Sequence, residues 1–363
     1  MDIKSLLKLL VETESPSHDK AAVDCVGEII ADEARNIGAQ VEIVPNLETG
    51  NHVISRWRGE GNGKPILMVC HMDTVFPVGT IKTFPFGEAE GKITGPGVSD
   101  MKASIAISLF AIEEAYKNGM TRPVTLLCTS DEEIGSLTSR DLIQQLAKES
   151  ELVLVMEPAL IDGSLKTWRK GGGGFHVKVK GRAAHAGGDH EKGRNAIEEM
   201  AHQVIAIQKM TDYSKQTTLN VGVIHGGTVS NVVPDEANIE VDVRLMQPGE
   251  WERLEGLMNE LKPVLDGTSI EVTGTLNRGP MPFDETMQAT FGKAKTIASQ
   301  IGIDLKAGGT GGVSDANLVA PLGIPVLDGL GAIGEGYHSE REYIFAGSLA
   351  QRVKLVSALL TNW

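Results

Sequence analysis

The chain has 363 residues, 41% of them apolar, and a formal net charge of −14. That length exceeds one ordinary hydrophobic core, so two domains are expected, with apolar residues enough to fill both. The negative charge opposes docking on a phosphate backbone or an anionic membrane, so neither nucleic acid nor a membrane is an expected partner, and no apolar run is long enough to span a bilayer.

The first fifteen residues, MDIKSLLKLLVETES, read as a short amphipathic helix: Lys8 breaks the apolar stretch, acids follow it, and no small-residue cleavage site is present. Cys25, Cys70 and Cys128 lack CxxC spacing and read as free thiols in a reducing cytoplasm; an exported mature form, its leader removed, is the other reading. Further along come continuous apolar runs, ILMVC at 66 to 70, VTLLCT at 124 to 129 and LVLVM at 152 to 156, with IPVL at 324 to 327 near the other end. Such runs suit parallel strands covered on both faces, and helical patterns at 101 to 118 and 139 to 149 lie between them. The chain ends therefore read as an α/β layer fold with a mostly parallel, helix-flanked sheet.

In the middle, strict alternation replaces the continuous runs: Phe175, Val177, Val179; Leu219, Val221, Val223; Ile239, Val241, Val243, Leu245; Ile270, Val272. Period-two strands have one buried face and imply an antiparallel sheet. Helical patterns at 195 to 210 and 250 to 265 punctuate them, giving the ferredoxin-like order βαββαβ. The expected organisation is a first domain built from 1–169 and 281–363, interrupted by an α+β domain at 170–280.

Ligands in open α/β folds bind beyond the carboxyl ends of the strands, so the residues after each buried run carry the functional signal. His71 and Asp73 follow the first run, Glu132 and Glu133 the second and Glu157 the third; His338 follows the last, and Asp100 opens a helix after GPGVS. Singly, Asp100 reads as a helix N-cap and Glu132 and Glu133 as solvated first-turn acids. Five loops at one sheet edge all supplying histidine or carboxylate are better explained as ligands for metal. Imidazole and carboxylate without thiolate suit zinc, with cobalt or manganese as substitutes. Asp100, Glu133, Glu157 and one hydroxide would nearly neutralise a pair of divalent ions. The tandem acids suggest one carboxylate on metal and one free as general base, and Asp73 suits orienting the His71 imidazole.

The segments HMDTVFP (71–77), GPGVSDMKAS (95–104), SDEEIGS (130–136), MEP (156–158) and GYHSEREY (336–343) closely resemble peptidase family M20, nearest to its glutamate carboxypeptidases, over essentially the whole chain. The resemblance implies one ion on His71 and Glu157, a second on Glu133 and His338, and Asp100 bridging; Glu132 as general base and Asp73 supporting His71; and a cis peptide after Asp100. It also implies that His185, in KGRAAHAGG, polarises the scissile carbonyl across a homodimer formed by the inserted domain. Asn231 and Arg278 would contact substrate, Arg278 its carboxylate, with Arg244 near the same pocket. The family's usual proline after HAG is absent, and His190 reads as solvated. Two glycine-rich segments remain. LKTWRKGGGGF (165–175) precedes an alternating strand rather than a helix, so it reads as an interdomain hinge, with Arg169 and Lys170 in reach of substrate, rather than a phosphate loop. In GGTGGVSDAN (308–317), backbone N–H groups around Gly312 can meet a substrate carboxylate. The expected activity is hydrolysis of an N-acyl amino acid or short peptide with a free C-terminal carboxylate. The alternatives are an aminoacylase, deacetylase or di/tripeptidase, and a non-catalytic metal- or peptide-binding protein, against which Glu132 speaks.

Overall fold

A computed structural model describes residues 1–61 and 63–363. The chain forms two compact units, one from Met1–Trp168, Phe283–Thr310 and Ser314–Trp363, the other from Arg169–Pro282 with Gly311–Val313.

The larger unit is an α/β domain around a mixed six-stranded sheet, in the spatial order Gln40–Val44, His52–Trp57, Val124–Thr129, Ile66–His71, Leu152–Val155, Val326–Asp328. The last four strands run parallel. The three apolar runs in the first half of the chain are buried at every position, as a sheet sandwiched between helices requires. His52–Trp57 joins them antiparallel and Gln40–Val44 forms an antiparallel edge. Neither was read from the sequence: the edge strand is half-exposed and shows no apolar run, and the buried His52–Trp57 is interrupted by His52, Ser55 and Arg56. Helix Ala103–Lys117 is buried along most of its length and packs against the C-terminal helix Ala346–Asn362. Cys70 lies opposite Cys128 in the parallel ladder, both buried, while Cys25 is exposed. Among the described residues no helix is long and apolar enough to cross a membrane.

The smaller unit is an antiparallel sheet ordered Thr218–Gly226, Glu236–Leu245, Gly171–Lys180, Ser269–Arg278, with helices Ala196–Gln208 and Glu250–Asn259 in the connections. This is the expected ferredoxin-like arrangement, with three departures from the sequence reading. The register slips between Val221 and Val223, and beyond the slip the strand is exposed on both faces, Val223 at 37% and Ile224 at 55%. The second helix stops at Asn259 rather than continuing to 265. Pro263 disfavours helix just before it, and the N–H groups of Val264 and Leu265 instead donate to the buried Glu199 carboxylate at 2.9 and 2.7 Å. The strand begins at Gly171 and so takes in the glycine run, which the sequence reading placed before it. A Cβ on Gly173 would lie 2.7 Å from both the Trp251 ring and the Thr275 carbonyl oxygen, so glycine there makes room for the ring that stacks on Phe175.

Glu250, buried at the start of its helix, accepts from Arg253 at 2.6 and 2.9 Å, Lys215 at 3.0 Å and Thr217 at 3.0 Å. The Arg253 hydrogen bonds foremost pull its carboxyl down to about 2, against burial. A folded-state pKa below the unfolded value stabilises above the unfolded pKa and loses that stability as pH falls. Glu250→Gln is expected to cost about 2 kcal/mol at pH 7, the deficit shrinking as pH falls from 4.5 towards 2. Urea unfolding of both proteins at pH 7 and at acid pH measures it, and a deficit independent of pH contradicts it.

Candidate active site

The parallel strands end together, and the first residues beyond them converge. His71 closes its strand and Glu157 follows Leu152–Val155 by two residues; Glu132 and Glu133 open a short 3-10 turn, Glu132–Ile134, after Val124–Thr129. Asp100 sits in the loop before helix Ala103–Lys117, with a cis peptide between it and Met101. His338 has φ of 60°, a left-handed conformation uncommon for a residue with a side chain. Ser136, in the loop after the tandem acids, shares this feature. Such conformations persist where surrounding structure over-determines them.

Two groups result, His71 with Asp100 and Glu157, and Asp100 with Glu133 and His338, each with ligand atoms within 4.8 Å of one another. Asp100 belongs to both: its Oδ1 lies 3.0 Å from His71 Nε2 and its Oδ2 3.3 Å from His338 Nε2. His338 Nε2 is also 3.2 Å from Glu133 Oε2, and His71 Nε2 is 3.7 Å from Glu157 Oε1.

Asp73, fully buried, acts on both sides of this cluster. His71 Nδ1 lies 3.1 Å from its main-chain oxygen and 3.6 Å from its carboxylate. The carboxylate itself accepts the N–H of Glu132 and of Glu133, both at 3.2 Å, and the Ser17 hydroxyl at 2.7 Å. Asp73 thus ties the imidazole to the backbone of the tandem acids. Ser17 carried no signal in the sequence, since a serine 56 residues away is placed only by folding. Asp131 braces the same turn by accepting from the Thr138 N–H and hydroxyl at 2.7 and 2.8 Å.

Crowded carboxylates in a buried site demand positive charge. Hydrogen bonds to Asp100 and Glu133 push His338 up to about 10. Burial opposes charge on His71, yet Asp100 and Asp73 raise its pKa well above the ordinary value. Burial likewise opposes ionisation of Asp100, but the two histidines hold its carboxyl well below the carboxylate range. Glu133 is raised, chiefly by burial, and among the described residues its buried Oε1 has no hydrogen-bond partner. The carboxylates thus raise both histidines' affinity for a proton, the same negative field that would favour cations in the cluster. The donor set, imidazole with carboxylate, fits divalent metal ions.

The remaining expected residues lie in the smaller unit, in two places. His185 pairs with Val232 in a short ladder, and the Ala186 N–H donates to the Asn231 carbonyl at 3.0 Å. Gly187 and Gly188 donate their N–H groups to His185 Nδ1, both at 3.1 Å. Arg244 and Arg278 both lie opposite Gly172, one on each neighbouring strand. Arg278 is buried, whereas Arg244 is paired bidentately with Asp242 at 2.9 and 3.0 Å. The carbonyls of Gly312 and Val313 accept from Arg169 at 3.1 and 3.2 Å, and Val313 approaches Gly172. The three glycine-rich or basic segments thus meet around Gly172. His190 is exposed, as expected.

A helix-flanked sheet with two groups able to hold metal ions at the carboxyl ends of its strands, and a ferredoxin-like domain inserted in the chain, is the build of a metal-dependent hydrolase. A family model described as a peptidase dimerisation domain matches residues 167–265. Carboxypeptidase G2 from Pseudomonas sp. (strain RS-16) is 31% identical over 99% of this chain and 88% of its own. A succinyl-diaminopimelate desuccinylase from Dechloromonas aromatica (strain RCB) is 26% identical over 89% of each chain. Among solved structures, the Bacillus subtilis YXEP protein, a dinuclear metal binding peptidase from the M20 family, matches with a TM-score of 0.73 at 16% identity, covering 99% of this chain and 96% of that one. The chain belongs to the M20 family of metallopeptidases and amidohydrolases.

Proposed function

We propose that the protein hydrolyses the amide bond of an N-acyl amino acid or short peptide that carries a free C-terminal carboxylate, in the manner of a glutamate carboxypeptidase. The observation that carries this reading is the pair of three-residue groups sharing Asp100. One divalent ion would be held by His71, Asp100 and Glu157 and the other by Asp100, Glu133 and His338, zinc being the expected metal and cobalt or manganese its substitutes. Bound there, such ions supply Lewis acidity and lower the pKa of water. Glu132 takes the proton of the attacking water and returns it to the departing amine. His185 donates an N–H to the carbonyl oxygen as it gains charge. Arg278, with Arg244, Asn231 and the Gly312 backbone, grips the substrate end, Arg278 through a planar fork that matches a carboxylate. The inserted domain joins two copies as a homodimer, in keeping with the dimerisation model matched there. Three free cysteines suit a reducing, cytoplasmic setting.

A second reading, an aminoacylase or deacylase that selects the acyl group, is favoured by the desuccinylase among the relatives. Amine release from a panel of N-acyl amino acids, including N-acyl glutamates and N-succinyl amines, separates the two. Chelation is expected to abolish turnover and zinc, cobalt or manganese to restore it. Masking the C-terminal carboxylate as an amide is expected to lower kcat/KM by about 10²-fold or more, since a buried guanidinium loses its charge-assisted partner. Equal turnover of free and masked substrates sinks the carboxylate reading, and activity surviving exhaustive chelation sinks the metal reading.

A further inference from the structure

Glu342 has no part in the chemistry above, yet it is fully buried, 0% exposed, and its carboxylate is committed to a single loop. Oε1 accepts the N–H of Ser99 at 2.7 Å and of Asp100 at 2.9 Å, and Oε2 accepts the N–H of Gly97 at 3.1 Å. Glu342 stands four residues after His338 in the sequence. The next residue begins the strand Tyr343–Phe345, which pairs antiparallel with Lys92–Thr94. The segment entering the Asp100 loop and the segment leaving the His338 loop are therefore joined twice, by a backbone ladder and by this carboxylate.

The ladder ends at Thr94, six residues short of Asp100, and cannot by itself place that side chain. Between them Gly97 turns with φ of 68°, where an added Cβ would come within 2.6 Å of Thr74, so the loop also lies closely against the segment after His71. Asp100 must present one oxygen to each cation group, and any displacement that improves one approach worsens the other. An anchor on the Asp100 N–H itself, made by hydrogen bonds in a buried setting, restrains such displacement.

We propose that Glu342 is a positioning residue that clamps the Asp100 backbone to the His338 loop and so sets the carboxylate shared by the two cation groups. The proposal rests on the reading of Asp100 as the shared ligand, and its test separates the two. Metal-free wild type, Asp100→Ala, Glu342→Gln and Glu342→Ala are titrated with Co²⁺ by calorimetry, with the visible spectrum of bound cobalt recorded and the metal-free fold checked by circular dichroism. Wild type is expected to take two ions and Asp100→Ala to lose tight binding of both. Glu342→Ala should weaken both ions by about tenfold or more and alter the cobalt spectrum. Glu342→Gln, which keeps one acceptor but turns an amide N–H₂ towards a backbone donor, should fall between. Glu342→Ala binding both ions within about twofold of wild type, with an unchanged cobalt spectrum, overturns the clamp. Where that variant does not fold without metal, the same result for Glu342→Gln overturns it. If Asp100→Ala itself binds like wild type, the shared-ligand reading fails, and the clamp with it.

Discussion

Glu132→Gln is expected to lower kcat by about 10³-fold or more while leaving cation binding at the wild-type level. Glu132 belongs to neither cation group, so an amide in its place removes no ligand. Its N–H is held by Asp73 Oδ1, an interaction of the backbone that the substitution leaves alone, and glutamine matches glutamate in volume. What disappears is a site that takes a proton from water and gives it up to an amine, a function without which neither attack nor departure proceeds at neutral pH. Glu133→Gln is the control: one residue along the same turn, it is expected to lose the cation on the His338 side. Metal analysis of the two variants beside steady-state rates separates base from ligand. Wild-type turnover by Glu132→Gln removes the general-base assignment, and loss of one cation from it makes Glu132 a ligand instead.

The cation groups were legible in the sequence because their residue types are costly to bury and because buried parallel strands announce themselves as apolar runs. His71, Glu133 and Glu157 each follow such a run within a few positions, so finding the strands found the residues that converge in these groups. The supports of these residues were not legible. Glu342 lies in a motif read for its histidine, and nothing in a loop glutamate signals three backbone N–H groups waiting on a distant turn. Ser17 reaches Asp73 across 56 residues of sequence. Asp73 was expected to act on His71 alone, yet its carboxylate also accepts from Glu132 and Glu133. Local pattern also misled where packing overrode it. Four glycines in a row read as a segment ahead of the strand, but they belong to it, and at Gly173 the neighbour is an aromatic ring that leaves no space for a side chain. The apolar alternation through Val221 and Val223 suggests one buried face, but the register slips between them and the strand beyond is exposed on both faces. The missed supports of the site concern interactions between segments far apart in sequence, which periodicity does not encode.

His185→Ala is expected to lower kcat by about 10²–10³-fold, the effect of removing one donor from a developing oxyanion. The ring is prepared for that task. With Nδ1 accepting N–H groups from both Gly187 and Gly188, a neutral imidazole carries its hydrogen on Nε2 and presents it as a donor. Glutamine at 185 restores a donor without the two backbone anchors and is expected to recover part of the loss in kcat with little change in KM. Whether His185 serves its own subunit or its partner is decided by mixing. A dimer of one Glu132→Gln subunit and one His185→Ala subunit contains one intact site if His185 acts across the interface, because the subunit with a working Glu132 then borrows an intact histidine. The other site lacks both groups. Random exchange between the two inactive homodimers should therefore restore about a quarter of wild-type turnover. If His185 acts within its own subunit, every site in the mixture lacks one group and no activity returns.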